Sequence, residues 1–289
     1  MTGDTRMECL FILYGPTSRN GKGTTMESIL RIMGEYGKNA DPTMLQAKFN
    51  SQSGGPSEEI ARLAGSRFVN ISEPEKKITL DAALTKRLTG NDTITARYLH
   101  ENSFEFRPNF KIFINTNHRP NITDLTLFES GRIKIIPFDR HFEENEQDKD
   151  LKSTFAKPEN MSGILNWMLE GYKLFRSQGL AMPDSVVQAT TDYQIFSDKM
   201  GQFFDECIEE KEGCELRRGA VYTRYKEWCG ENGYRAEAAK NLNQEIEKRY
   251  KTARKRPNDG ASSSTTPMVL DVAFTASEEL KEDFAPLTS

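Results

Sequence analysis

The sequence predicts an α/β protein, in which a central parallel β-sheet is followed by a helical region and a small winged-helix-like unit. Residues 10–33 contain an apolar run, a glycine-bearing loop and an amphipathic segment in that order. Two further apolar runs, at 67–71 and 110–116, end in polar residues. From residue 146 onward, helical periodicity dominates until a basic run and a last strand. We expect a core over 1–145, a helical region over 146–200, a winged-helix-like module over 201–276 and a frayed tail over 277–289.

Composition excludes several classes of protein. The 289 residues carry a formal net charge of −4, which argues against a uniformly basic nucleic-acid coat but leaves room for a local basic face. The four cysteines have no Cys-x-x-Cys spacing and only three histidines are present, which argues against a zinc site. We expect reduced, cytosolic thiols, and no apolar run approaches the roughly 20 residues that cross a bilayer.

The loop after the first apolar run has the features of a phosphate-binding loop. A strand, a glycine-bearing loop and a helix N-terminus direct backbone N–H groups at a polyphosphate. Lys22 is expected to contact the terminal phosphates, and the hydroxyl of Thr24 or Thr25 to lie near magnesium. Five residues separate Gly15 from Gly21, and Gly23 takes the usual hydroxyl position, so a βα turn without a ligand is the alternative. The expected ATP-binding residues are Gly15, Pro16, Thr17, Ser18, Arg19, Asn20, Gly21, Lys22, Gly23 and Thr24.

Polar residues follow the later core strands. Glu73 follows the strand at 67–71 and is the candidate for holding magnesium or activating water, although a lone strand-end glutamate is more often simply solvated. Asn117 follows the strand at 110–116, where an amide can orient water or sense the γ-phosphate. Arg132 lies on a turn before the strand at 133–138, from which it could reach a neighbouring subunit.

A β-hairpin is predicted between the strand-end sites. Residues 93–99 and 104–107 alternate apolar and polar side chains, and residues 100–103 join them. Arg97, Tyr98 and His100 suit a nucleic-acid backbone, with an ordinary solvated hairpin as the alternative.

The C-terminal part is predicted to be helical before it becomes basic. We expect a helix over 163–175 that ends near Gly179 and packs its tryptophan, and continued helix over 191–212. Helices over 221–228 and 241–250, a basic run and a strand at 268–274 suit a winged-helix module, although basic runs are usually solvated faces. The basic run comprises Lys248, Arg249, Lys251, Arg254, Lys255 and Arg256.

Several segments in this order resemble the C-terminal ATPase half of the phage and plasmid primase-helicases, which are superfamily 3 helicases related to AAA+ proteins. The matching segments are LYGPTSRNGKGT, RFVNISEPE, LTKRLTGNDTITARYLHENSFEFRPNFKIFINTNHRP, GRIKIIPFDRHF and GILNWMLEGYKLFRSQGLAMP. The resemblance implies an AAA+-like fold, ATP and Mg²⁺ as ligands, and catalytic roles for Lys22, Glu73, Asn117 and Arg132, with Arg132 as an arginine finger. Thr24 and Glu73 would hold the metal.

The resemblance also implies a DNA helicase motor that acts as a homo-oligomeric ring, expected to be a hexamer, on single-stranded or forked DNA. A separate primase is an expected partner and a membrane is not. The expected location is the cytoplasm, which is that of a bacterial host if the protein is phage- or plasmid-encoded. The chain departs from the family by having Ser72 before Glu73, where a second acid is common, with Glu75 as a substitute. No helical domain precedes the loop and no primase active site is present, so primer synthesis is not expected. Two alternatives are a DNA-binding accessory or initiator protein with a degenerate ATPase fold and, ranked third, a small-molecule kinase.

Overall fold

The computed structural model describes residues 2–47, 58–72, 78–255 and 265–275. The chain divides into two compact units, residues 1–197 and residues 198–289. Glu73 and Glu75 lie outside the described residues. In the described part of the chain, no helix combines the length and the apolar character needed to span a bilayer.

The first unit is built on a five-stranded parallel sheet. Its strands in chain order are β1 (Leu10–Tyr14), β2 (Gly37–Ala40), β3 (Phe68–Ser72), β6 (Lys111–Thr116) and β7 (Ile133–Pro137), and β4 (Ile94–Ala96) pairs with β5 (Phe104–Phe106) as a separate antiparallel hairpin. The spatial order is β2-β3-β6-β1-β7, with every neighbouring pair parallel. The carboxyl ends of β1, β3 and β6 therefore share one edge. The predicted α/β class with a central parallel sheet is confirmed.

Both faces of this sheet are covered, which is why its central strands are almost continuously apolar. On one face, Leu10, Ile112 and Ile133 belong to the largest core cluster of the unit. On the other face, Leu13 packs with Met26 of the first helix. The sheet consequently holds its strand ends in fixed positions, which is what a site built from those ends requires.

Helices cover the sheet and follow it. They are α1 (Lys22–Met33), α2 (Glu58–Ala61), α3 (Ala82–Thr89), α4 (Thr126–Glu129), α5 (Leu151–Phe155), α6 (Pro158–Gln178) and α7 (Asp184–Ser197), with 3-10 turns at Gly34–Tyr36, Pro42–Leu45 and Glu144–Glu146. Helix α6 ends at Gln178 with Gly179 as its C-cap, as predicted, but it starts at Pro158, before the predicted start at Gly163. Its tryptophan is not packed, because 67% of Trp167 is exposed.

A polar contact links α3 to the segment before α4. Lys86 Nζ donates to Asp124 Oδ2 at 2.9 Å, and the Thr126 backbone N–H donates to Asp124 Oδ1 at 3.0 Å. Burial raises the pKa of the Asp124 carboxyl, but the hydrogen bonds from Thr126 and Lys86 outweigh it and hold the pKa below the ordinary 3.8. The ionised carboxylate is therefore the form that joins the two segments.

The second unit has the helix and strand content of a winged-helix module. Its elements are α8 (Lys199–Cys207), β8 (Ile208–Arg217), α9 (Arg218–Glu231), α10 (Ala239–Arg249), β9 (Thr252–Lys255) and β10 (Thr266–Phe274). The three strands form an antiparallel sheet in the order β8-β10-β9. A separate core, which includes Phe203, Tyr225 and Trp228, joins the helices to the sheet.

The structure corrects the expected helix over 191–212. That segment contains the end of α7, then α8, and from Ile208 onward it is the strand β8. Pairing of β8 with β10 overrides the helix propensity of the Glu and Lys residues in β8. Strands β2 and β9 were not predicted, because neither short edge strand carries an apolar pattern.

Candidate nucleotide-binding site

The glycine-bearing loop connects the carboxyl end of β1 to the first turn of α1. Gly21 has φ +86° and is the N-cap of α1, a conformation that glycine adopts without steric cost. Arg19 also has a positive φ, at 58°. Thr25 Oγ1 donates to the Gly21 carbonyl at 3.0 Å. The loop thus brings the positive end of the α1 dipole to the edge of the sheet where the strands end.

Lys22 and Asn117 meet at this edge. Lys22 is 4% exposed, and its Nζ donates to Asn117 Oδ1 at 2.7 Å. The same ammonium donates to Asn20 Oδ1 at 2.9 Å and to the Gly15 carbonyl at 3.3 Å. Lys22 at the start of α1 and Asn117 after β6, which the sequence proposes for one site, therefore lie in direct contact.

Close packing around Gly15 fits a phosphate cradle. A Cβ at Gly15 would lie 2.2 Å from Asn20 Nδ2 and 2.5 Å from the Phe138 carbonyl oxygen. The loop is consequently drawn in against the sheet. Its backbone and Lys22 are the groups that would hold a triphosphate, and Thr24 would offer its hydroxyl to Mg²⁺, which takes few protein ligands beside water and phosphate oxygens.

The end of β3 lies beside the end of β6. Ser72 is in register with Asn115 in the parallel pairing of β3 with β6, and Asn115 is buried. Glu73 is the next residue after Ser72, and its proposed role in metal binding remains a prediction. Asn70, two residues earlier, is buried and donates to Asn39 Oδ1 and Ser72 Oγ, both at 2.8 Å. Polar side chains thus extend into the end of this buried strand.

Arg119 is a residue of this edge that no sequence pattern predicted for the site. Its guanidinium carbon lies 4.9 Å from the ring centroid of Tyr14, 5.5 Å from that of Tyr193 and 5.3 Å from that of Phe196. Burial raises the pKa of the Tyr193 phenol well above its usual range, so the protonated hydroxyl donates to the Pro120 carbonyl. The sequence signal for Arg119 was its position two residues after Asn117. Its aromatic partners come from distant parts of the chain, so the sequence does not indicate them.

Arg132 lies at the opposite edge of the sheet. Its carbonyl accepts from the Leu10 backbone N–H at 2.7 Å, at the amino end of β1. Its guanidinium donates to a Glu8 carboxylate oxygen and, at 2.9 Å, to Thr89 Oγ1. The Arg132 side chain is 15% exposed. The structure therefore separates Arg132 from Lys22 within one chain, and an arginine finger role would have to be played in a neighbouring subunit.

The predicted hairpin is present, and its candidate residues differ in their contacts. Tyr98 Oη donates to the Ala61 carbonyl at 3.2 Å, and its ring stacks on Phe104 with centroids 5.8 Å apart. Arg97 is half-buried, whereas His100 is exposed at the tip with φ +63°. Leu99, which precedes His100 in the sequence, is 56% exposed and was not among the candidates. Tyr98 therefore anchors the hairpin, while its tip presents other side chains.

The basic run of the second unit is largely paired with acids. Lys248 contacts Glu245 at 2.9 Å and Arg249 contacts Asp198 at 3.1 Å. Lys255 contacts Glu215. These cis ion pairs reduce the positive charge that the run would otherwise present. Arg256 lies outside the described residues.

Two family models match separate parts of the chain. Residues 13–132 match a model described as a family of unknown function, DUF5906. Residues 196–277 match a model described as poxvirus D5 protein-like. The first match contains the glycine-bearing loop, Asn117 and the hairpin, and the second coincides with most of the second unit. Each match spans less than half of the chain.

Curated viral proteins are similar over more of the sequence. "Putative helicase L207/L206" of Acanthamoeba polyphaga mimivirus is 27% identical over 100% of this chain and 31% of its own length. "Putative helicase 022R" of Frog virus 3 (isolate Goorha) is 27% identical over 76% of this chain and 24% of its own length. The chain thus spans about a third or less of the length of these relatives.

A solved structure has a related fold. The apo A form of the NrS-1 C-terminal region, CTR(305-718), aligns with 92% of this chain and 67% of its own, with a TM-score of 0.53 and 15% identity. At that identity the likeness concerns the fold alone. The chain is therefore an α/β protein with D5-like sequence in its second unit, and it is similar to viral proteins that are named as helicases.

Proposed function

We propose that this chain is the ATP-hydrolysing motor of a DNA helicase of the superfamily 3 type. The observation that carries the proposal is the contact of Lys22 with Asn117 at the carboxyl edge of the parallel sheet, beside the tightly packed Gly15. A lysine, a strand-end amide and helix N–H groups around one point are the groups that bind a triphosphate and align water for its hydrolysis. The viral relatives are named as putative helicases, which supports a nucleic acid as the second substrate, and we propose that it is DNA.

Each group at the site has a defined task in this proposal. The loop backbone and Lys22 hold the phosphates, with Lys22 transferring its hydrogen bond from Asn117 Oδ1 to a phosphate oxygen. Released from Lys22, the Asn117 amide orients the attacking water. Glu73 and Thr24 would hold Mg²⁺, and the bound ion would supply positive charge beside the phosphates. A head-to-tail ring, which we propose to be a hexamer, brings Arg132 of one subunit to the nucleotide of the next.

The test is ATP hydrolysis by the 289-residue chain with and without single-stranded DNA, alongside its native mass. We expect hydrolysis that DNA stimulates and a mass of several subunits. Lys22→Ala should abolish turnover, while Lys173→Ala on the exposed face of α6 should leave it unchanged. Turnover by Lys22→Ala at the wild-type rate would refute the proposal.

The second candidate is a DNA-binding accessory protein with a weak ATPase. The specific observation in its favour is that Arg132 is already hydrogen-bonded to Glu8 and Thr89 in the same chain. This candidate predicts a monomer, weak magnesium-dependent hydrolysis and no stimulation by DNA. The same experiment therefore separates the two.

A further inference from the structure

A cleft of about 390 Å³ opens beside the phosphate loop. Arg19, Gly21 and Thr24 line one side of it, and Phe142, Gln147 and Leu151 line the other. A volume of this size lies within the range of about 300–1,000 Å³ that is typical of small-molecule sites. The cleft therefore begins where the phosphates of a bound nucleotide would end, and it is large enough for the rest of a nucleotide.

Hydrogen bonds fix the segment that forms the second side of the cleft. The Phe142 backbone N–H donates to the Arg19 carbonyl at 2.9 Å, and His141 Nδ1 lies 2.8 Å from the Ser18 carbonyl. Gln147 Nε2 donates to the Phe142 carbonyl at 2.8 Å. This segment follows β7 and is tied directly to the loop, so Phe142 has a defined position relative to the phosphate-binding groups.

The cleft combines charged side chains with an aromatic ring that packs against a planar group. The guanidinium carbon of Arg140 lies 4.6 Å from the Phe142 ring centroid, so this ring already packs against a planar group. Glu146 at the cleft is paired with Arg140 at 2.9 Å, and Lys152 with Glu27 at 2.7 Å. Arg19, Asp148 and Lys149 also line the cleft, and Phe142 and Leu151 provide its apolar contact area.

We propose that this cleft is the nucleobase subsite of the nucleotide site, and that the base stacks on Phe142. The inference rests on the proposed function, because it assumes a nucleoside triphosphate on the loop. Stacking on an aromatic ring tolerates every base, since each has a π-face. The site therefore favours nucleoside triphosphates over inorganic polyphosphate and discriminates weakly among the bases.

The test compares binding of ATP with binding of inorganic tripolyphosphate, both measured by calorimetry. Base–aromatic stacking contributes about 1–3 kcal/mol, so Phe142→Ala should weaken ATP binding about 5- to 150-fold and leave tripolyphosphate binding unchanged. The matched control is Phe175→Ala, which removes a half-buried phenylalanine of α6 in the same unit. Phe142→Trp should retain ATP affinity and show a fluorescence change with ATP but not with tripolyphosphate.

The outcomes separate this inference from the proposed function. If the wild-type chain binds ATP but Phe142→Ala binds it equally well, the base subsite is refuted and the phosphate site stands. If the wild-type chain binds neither ligand, the proposed function fails and the subsite with it. Should Phe142→Ala not fold, an absent or identical fluorescence response of Phe142→Trp to ATP and tripolyphosphate also overturns the subsite.

Discussion

Replacing Gly15 with alanine tests the cradle directly, because the obstacle is space rather than backbone conformation. The new Cβ would lie 2.2 Å from Asn20 Nδ2, 2.5 Å from the Phe138 carbonyl oxygen and 3.0 Å from Lys22 Nζ. The Phe138 backbone cannot retreat easily, since its N–H donates to the Tyr14 carbonyl at 2.7 Å. Asn20 must therefore move, although it donates to the Thr17 carbonyl and accepts from Lys22.

The expected magnitude follows from the cost of overpacking. Inserting a methyl group into a packed site costs about 1–3 kcal/mol. We expect Gly15→Ala to lower the free energy of unfolding by that amount in denaturant titrations. If the loop must be restored before ATP binds, the same energy weakens ATP binding by about 5- to 150-fold in calorimetry.

Gly23→Ala is the matched control, because it adds the same methyl group close to the same loop. At Gly23 the nearest described atom to a Cβ would be Asn115 Nδ2 at 4.0 Å. Gly23 is the second residue of α1, where alanine is favoured over glycine by up to about 1 kcal/mol. We expect unchanged or slightly higher stability. Wild-type ATP affinity in Gly15→Ala, or equal damage in both variants, would refute the cradle.

Three further predictions concern the hairpin, the pH dependence of the stability that Asp124 contributes, and Arg132. Tyr98→Phe should lower the free energy of unfolding by about 0.5–1.5 kcal/mol and leave the affinity for single-stranded DNA unchanged. Leu99→Ser should weaken DNA binding without changing the free energy of unfolding. Anisotropy titrations in which Tyr98→Phe weakens DNA binding and Leu99→Ser does not would contradict this. Asp124→Asn should cost about 0.2–1 kcal/mol at pH 7, and the deficit should disappear as the pH falls through the depressed folded pKa, because the wild-type carboxylate is then protonated. Arg132→Ala should reduce turnover about 10³–10⁵-fold, whereas Glu8→Gln should only lower the melting temperature; equal losses of turnover would exclude the finger.

Local patterns predicted the elements whose structure depends on local chemistry. The apolar run of β1 and the glycine at position 21 specify a strand, a turn and a helix start within a few residues of each other. Because carboxyl ends of parallel strands share an edge, Asn117 could be assigned to the same site as Lys22 from sequence alone. The contact between them in the structure follows from this rule together with the parallel pairing of β1 with β6.

Features set by tertiary contacts were not predictable in the same way. The residues of β8 are mostly charged, and only pairing with the apolar β10 makes them a strand. Arg119 lies between His118 and Pro120 in the sequence, and the rings of Tyr14 and Tyr193 contact it only after the chain has folded. Phe142 similarly lies beside the phosphate loop because its backbone N–H donates to the Arg19 carbonyl. No periodicity carries information about such partners.

The position of Arg132 is compatible with two sets of hydrogen bonds, one to Glu8 and Thr89 within a single chain and one to a neighbour's nucleotide in the proposed ring. At the amino edge of the sheet it cannot reach the Lys22 of its own chain, so any contact with a nucleotide must cross a subunit boundary. In the single chain its guanidinium would lose hydration as it becomes 85% covered, and Glu8 and Thr89 compensate for that loss. A neighbour's triphosphate would have to offer stronger hydrogen bonds than this carboxylate and hydroxyl do. In the proposed ring, release of Arg132 from Glu8 would require bound nucleotide, so hydrolysis would depend on ring assembly and nucleotide together.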